Sequence, residues 1–321
     1  MVPHHLFLMA FLFSLSAGKI WIGPAHWFAA GANGWIMAEL RLPRAILGAG
    51  IGAALGLSGA VLQGYLRNPL ADPTVVGVSS SAAFGGVVAI FLGLAVWPYG
   101  IFTCAMLGAA AAVLLLAMLA GRGTGPLGFI LGGMVLSTLA GSLTAFLISI
   151  QANPYETSEI ISWLMGAITD RTMDDVWRAL PFILAGGMLL LQSGRMLDAL
   201  TLGEAGARSI GADLNRLRWL VIGGVGLCVG AAVAVSGVVG FVGLIVPHLM
   251  RSWIGERPSA ILIPSAIGGA ILTLFADGLV RLAPGAGEIR LGIVMAILGT
   301  PFFLAILFRQ RSGRKGAFGD A

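Results

Sequence analysis

Apolar residues fall along this chain in ten runs, separated by short stretches where proline, glycine and charge collect. A bilayer-spanning helix needs about 20 mostly apolar residues. On that measure the spans lie near 3–22, 43–66, 76–95, 101–120, 127–150, 176–193, 217–236, 238–253, 259–281 and 289–309. The run 238–253 is shorter than a full span and comes close behind the previous one, so it reads as a broken or tilted helix supported by surrounding protein. The first run ends in small residues, Ser14, Ser16 and Ala17, as a secretory leader does. It lacks a basic start, its first Lys or Arg being Lys19, and is read as a first transmembrane helix. The predicted fold is an all-α polytopic membrane protein with about ten transmembrane helices, in one domain over residues 1–321.

The interruptions carry the polarity. Residues 194–218 are the longest, with two short helical patterns that must project into water. Residues 153–178 hold Glu156, Glu159, Asp170, Asp174 and Asp175 around an apolar core, 160–168, and read as a short helix at the opposite mouth. Arg67-Asn68-Pro69-Leu70-Ala71-Asp72-Pro73 cannot continue a helix through two prolines, and Asn68 and Asp72 can cap the next helix. An even number of spans puts both termini on the side of loops 67–73, 121–126, 194–218 and 251–258. That side collects 12 of the 19 Lys and Arg residues, which makes it the cytoplasm.

Composition agrees. Of 321 residues, 58% are hydrophobic and only 10% charged, with a mean hydropathy of +0.95, where a soluble domain carries roughly 25% charged residues. The net charge of +5 comes from basic loops and needs no nucleic-acid partner. Glycine, at 48 residues, suits close helix packing: Gly48, Gly52, Gly56, Ala60 and Gly64 recur every fourth position on one helix face, and Gly226, Gly230 and Ala234 repeat the pattern. Cys104 and Cys228 lie inside apolar runs and read as packing residues.

Candidate chemistry is sparse. Gly56-Leu57-Ser58-Gly59 matches the short motif of intramembrane serine proteases, for which His248 would be the base; Ser58 belongs to the small-residue stripe region and His248 follows Pro247 near the end of its span, so ordinary packing is the preferred reading. No Gly-x-x-x-x-Gly-Lys-Ser/Thr is present, so ATP binding through a P-loop needs a separate subunit. His4, His5 and His26 lack metal-ligand spacing, and no metal site is expected. A secondary transporter would need intramembrane carboxylates, and Asp277 is almost the sole candidate. Arg41 and Arg44 enter the second span, and Asp277 with Arg281 ends the ninth. They read either as internal pairs or as a basic outer patch for carboxylates of a partner protein.

Several motifs occur in order over nearly the whole chain: Arg41-Leu-Pro-Arg44, Ser58-Gly-Ala-Val-Leu-Gln63, Asn68-Pro-Leu-Ala-Asp-Pro73 with Gly77-Val78-Ser79, Leu202-Gly-Glu-Ala-Gly-Ala-Arg-Ser-Ile-Gly211, Gly237 through Arg251, Ala276-Asp277 with Arg281, Glu288, and Gly299-Thr-Pro-Phe-Phe303. Together they resemble the permease subunits of type II ABC importers for iron–siderophores, heme and vitamin B12. The resemblance implies a ten-helix permease, paired with a second copy or a paralogue around a central path, a cytoplasmic ATPase dimer below and a periplasmic binding protein above, in the bacterial inner membrane. It implies no cofactor in this chain, with ATP and Mg on the ATPase. Residues 194–218 match the ATPase-coupling loop, with Leu202, Gly203, Glu204, Gly206, Ala207, Arg208 and Gly211 as contacts. Arg41, Arg44 and Arg281 match the arginines that dock the binding protein, Asn68, Pro69 and Leu70 the inner gate, and Gly132, Gly133, Leu136 and Ser137 the pore lining. Within the metal-chelate class, iron–siderophore ranks first as the broadest group. Two departures from the family pattern stand out: Arg290 replaces a proline before the tenth span, and Ser81 stands where glycine is common.

Overall fold

The computed structural model describes residues 4–27, 31–74, 76–119, 125–283 and 289–316. Glu288 and Arg122 lie outside these residues, as do the side chains of Arg309, Arg311, Arg314 and Lys315. Ten helices answer to the ten expected spans: α1 (His4–Ser16), α3 (Leu42–Tyr65), α4 (Val78–Phe91), α5 (Gly100–Leu119), α6 (Gly125–Ile150), α8 (Met173–Gln192), α11 (Leu214–Ser236), α12 (Val242–Ile254), α13 (Pro258–Leu282) and α14 (Leu291–Gly316). Four short helices join them: α2 (Ala32–Ile36), α7 (Pro154–Leu164), α9 (Gly194–Leu200) and α10 (Gly203–Ser209). Among the described residues, five helices are long and apolar enough to cross a membrane, or six when the bent pair α8 with α9 is taken as one span.

The small-residue stripe is where the fold is built. A methyl group on Gly52 or Gly56 would lie 2.2 Å from the carbonyl oxygen of Gly269 or Ser265, so α3 and α13 touch backbone to backbone. Such contact is what small residues permit between membrane helices. Gly59 is equally close to the Gly243 carbonyl, at 2.0 Å, and brings in α12. The second stripe serves α11 against α5, with Gly226 facing Val113 and Gly230 facing Ala109. At the Ser81 departure the room comes from the partner helix: Gly108 of α5 sits over the Ser81 carbonyl, at 2.2 Å from where a Cβ would be.

Three expected spans are shorter than their apolar runs, each for a local reason. Helix α1 stops at Ser16, and the run on to residue 22 folds over as a loop. There the Arg41 guanidinium donates to the carbonyls of Leu15, Ser16 and Ile20, groups that a helix end leaves without partners. Helix α4 begins behind Gly77 (φ +83°) and ends before Gly93 (φ +68°), both in the left-handed region that glycine enters at little cost. Helix α12, the expected broken span, has 13 residues and starts after a break at 237–241. Pro247 has no N–H for the Gly243 carbonyl four residues back. Gln63 of α3 replaces it, its Nε2 donating to that carbonyl at 3.1 Å while its Oε1 accepts from Arg251.

Contacts near the helix ends sort the molecule into two sides. Asp198 meets Arg257 and Ser259, and Gln63 meets Arg251. At the other end of the helices Arg44 meets Asp277, Arg281 meets Ser14 and Arg290 meets Ser162. The division matches the one drawn from the basic loops. Exposed Trp97, Tyr99, Tyr155 and Trp177 lie toward one side, and exposed Trp219 and Trp253 toward the other, as aromatic belts do at the two membrane interfaces.

Candidate functional site

The polar gap at 194–218 folds as expected into two short helices, α9 and α10, turned at Gly203 (φ +84°) and Gly211 (φ +83°). Helix α9 is fixed to the body. Buried Leu197 and Leu200 hold its inner face, and Asp198 accepts from the Ser259 N–H at 2.8 Å, the Ser259 hydroxyl at 2.6 Å and Arg257 Nε at 2.8 Å. It thereby caps the first turn of α13 from a distance. Partial burial pushes the Asp198 carboxyl up, but the hydrogen bonds from Ser259 and Arg257 outweigh it and hold the group below its ordinary value. A depressed carboxylate stabilises the fold fully above its unfolded pKa of about 3.9 and loses that contribution as pH falls through the lower folded value. Asp198→Asn is therefore expected to cost about 1 kcal/mol near neutral pH and to raise hydrogen exchange in α9. The wild-type anchor should hold until the pH falls below about 4.

Helix α10 stands further out. Ala207 is fully buried against the body, Asp213 caps α11 through the N–H groups of Asn215 and Arg216, and Glu204 pairs with Arg208 at 3.3 Å in water. The two large apolar side chains flanking α10, Leu202 and Ile210, are 64% and 63% exposed. Gly206 lies between them in sequence, half-buried, and a Cβ there would meet only the Leu202 side chain, at 3.0 Å. Ile210 is an exposed apolar residue that attention to glycines and charges passed over. Its signal was a bulky apolar residue inside a polar segment.

On the opposite side the three arginines converge, but inward. Arg44 grips Asp277 with Nε and Nη2 at 3.0 and 2.8 Å, and Arg281 reaches the same carboxylate at 3.1 Å and Ser14 Oγ at 2.8 Å. Arg41 is used by the end of α1. All three are buried, so the geometry is that of internal pairs and not of a freely exposed basic patch. They line one wall of a cavity of about 280 Å³ with Lys19, Asp170 and Arg171. Asp277, almost the sole carboxylate candidate for an ion-driven carrier, is held between two guanidinium groups.

Asn68, Pro69 and Leu70 form a turn at the end of α3, with Arg67 at φ +49° and Asn68 Oδ1 accepting from the Leu70 N–H at 2.9 Å. Asp72 caps Thr74 in the same way, at 2.9 Å, and not α4 itself. The residues expected to line the pore sit against other parts of the same chain. Gly132 faces Leu116 and Leu119 of α5, while the Gly133 carbonyl and the Leu136 side chain press on Gly77, and Ser137 donates to the Thr74 carbonyl. These four residues face into the chain because the glycines admit α5 and the 74–77 turn. The free face of α6 carries Leu131, Met134, Val135, Leu139 and Phe146.

The hydrolase alternative fails on geometry. Ser58 is fully buried with no hydrogen-bond partner for its hydroxyl, and the His248 ring stacks edge-on against Phe302. No nucleophile–base pair forms.

Residues 6–309 match the model of the FecCD transport family. The chain belongs to that family. Among its relatives, the cobalamin import system permease BtuC of Halobacterium salinarum is 40% identical over 281 residues, covering 87% of this chain and 74% of that protein. The vitamin B12 import system permease BtuC of Vibrio cholerae is 38% identical over 312 residues, covering 95% and 92%. The ABC transporter permease YvrB of Bacillus subtilis is 38% identical over 284 residues, covering 87% and 80%. A solved inward-facing metal-chelate type ABC transporter superposes with a TM-score of 0.86 at 32% identity, covering 95% of this chain and 97% of that one. This FecCD protein is accordingly the membrane permease subunit of an ABC importer. It is a transport subunit and not an enzyme, with ATP hydrolysis in a separate subunit. Permeases of this kind work as dimers with an ATPase and a substrate-binding protein.

Proposed function

We propose that this FecCD permease translocates a metal chelate, iron–siderophore first, by alternating between outward- and inward-open states that ATP binding to the partner biases through α9 and α10. The observation that carries the coupling role is a protruding helix pair, fixed to α13 through Asp198, that presents Leu202 and Ile210 to water. Glu204, Gly206 and Arg208 complete the contact surface. A second copy of the chain, or a paralogue, closes the path, lined in part by the apolar free face of α6; an apolar wall holds a bulky chelate weakly and releases it. Asn68, Pro69 and Leu70 close the path on the coupling side. The binding protein docks over the arginine-lined cavity, with Arg41, Arg44 and Arg281 in its wall. Both termini face the cytoplasm, no cofactor resides in this chain, and ATP and Mg are held by the ATPase.

The names of the relatives favour a second cargo, cobalamin; heme is the third. Uptake by the complete transporter of radiolabelled ferric siderophores, cobalamin and heme separates them. Transport of a ferric siderophore with no cobalamin uptake is the expected result, and cobalamin uptake alone would reverse the ranking.

A further inference from the structure

A second cavity, of about 200 Å³, opens on the side opposite the coupling helices. It lies where three breaks in the chain meet. The turn after α7 bonds to the end of α11 through Ala167 N–H to Ser236 carbonyl at 2.7 Å, and the start of α14 joins through Gly292 N–H to Gly166 carbonyl at 3.3 Å. Gly237 and Gly166, at φ +67° and +72°, let the backbones close to contact.

The lining is rich in donors. Arg290, the residue in place of the family's proline, reaches over from the start of α14 to donate to Ser162 Oγ on α7 and faces the cavity. Arg171 lines it from the 165–172 turn, and its Nε is buried without an acceptor. Trp163 lines it too. Its benzo edge is fixed over Gly86 of α4, and its indole N–H is likewise buried without an acceptor. Buried donors are normally matched, so two unmatched ones beside two guanidinium groups describe a place built for an acceptor. Burial lowers the Arg171 pKa, against the opposing pull of Asp175 and Asp170, and a bound anion would offset that burial. Glu159 and Asp170 also border the cavity, but both are exposed, so they are solvated and screened at the rim.

We propose that this cavity is a carboxylate-binding subsite, in which Arg171, Arg290 and the Trp163 N–H take one carboxylate of a small molecule. Arg290 is the specificity-determining member, since its fork can give one donor to Ser162 and others to the ligand. Only the naming of this side as outer rests on the importer reading.

The test is a calorimetric titration of the full-length permease in lipid nanodiscs with succinate, at constant ionic strength balanced by chloride. Saturable binding with a Kd of about 1 mM or tighter is expected. Arg171→Gln and Arg290→Gln should each weaken it at least tenfold, Arg290→Lys should weaken it less than Arg290→Gln, and Glu159→Gln, at the screened rim, should leave it within about twofold. Absence of saturable binding to the wild type, or equal binding by the Arg171→Gln/Arg290→Gln double variant, overturns the proposal. A parallel titration with the docked binding protein separates the sources of the carboxylate. Displacement of succinate by that protein, with docking itself weakened by Arg290→Gln, would give the subsite to a partner side chain and overturn the small-molecule assignment. ATP-driven uptake, measured separately, reports on the importer reading whichever way the titration falls.

Discussion

Replacing Asp277 with alanine is expected to destabilise the folded permease by about 3–5 kcal/mol, the usual cost of removing one partner from a buried ion pair. Its carboxylate is 2% exposed and pairs with both Arg44 and Arg281, whose side chains are 9% and 6% exposed. Without it, two buried cations from α3 and α13 face each other across a backbone-to-backbone helix contact. Thermal unfolding in detergent, monitored by circular dichroism, should show a much lower midpoint. The triple variant Arg44→Met, Asp277→Met, Arg281→Met should recover most of the loss, because it removes the charges together. An unchanged midpoint in Asp277→Ala would mean that the triad does not hold α3 to α13.

The second large effect is expected at the coupling helices. Leu202→Asp with Ile210→Asp should leave folding nearly unchanged, since both side chains already lie in water. Affinity for the ATPase should nevertheless fall at least about tenfold, because exposed apolar anchors that become buried in a partner dominate such interfaces. Pull-down of the purified ATPase, with thermal unfolding as the control on folding, reads the two effects separately. Wild-type binding by the double variant would place the contact elsewhere, on Glu204 or Arg208.

Much of this architecture was legible in the residue pattern, for physical reasons. Ten apolar runs are hard to mistake when a bilayer must be crossed, and a stripe such as Gly48 to Gly64 declares a packing face. Helix ends were not legible, because tertiary partners set them. Nothing near Ser16 announces that Arg41 will collect the carbonyls there, and nothing near Pro247 announces that Gln63, far away in sequence, will serve Gly243. The same holds at the arginines. Spacing left open whether Asp277 and Arg281 pair internally or face a partner, and only the approach of Arg44 from α3 resolves the geometry. On α6 the glycines mark the face that packs inside the chain, and the exposed apolar residues lie opposite them. Arg290 stands out as a departure in the sequence, but its bond to Ser162 depends on α7 lying beside the start of α14.

If a protruding helix pair harnesses this permease to an ATPase for import, transport itself must depend on that pair. Uptake of a ferric siderophore into proteoliposomes, with the permease and its ATPase in the membrane, the binding protein outside and ATP inside, reads this dependence. Uptake should require ATP and fall to background in Leu202→Asp/Ile210→Asp while the permease remains inserted. Uptake by the permease alone without ATP, or undiminished uptake in that variant, would show that α9 and α10 do not couple it to an ATPase.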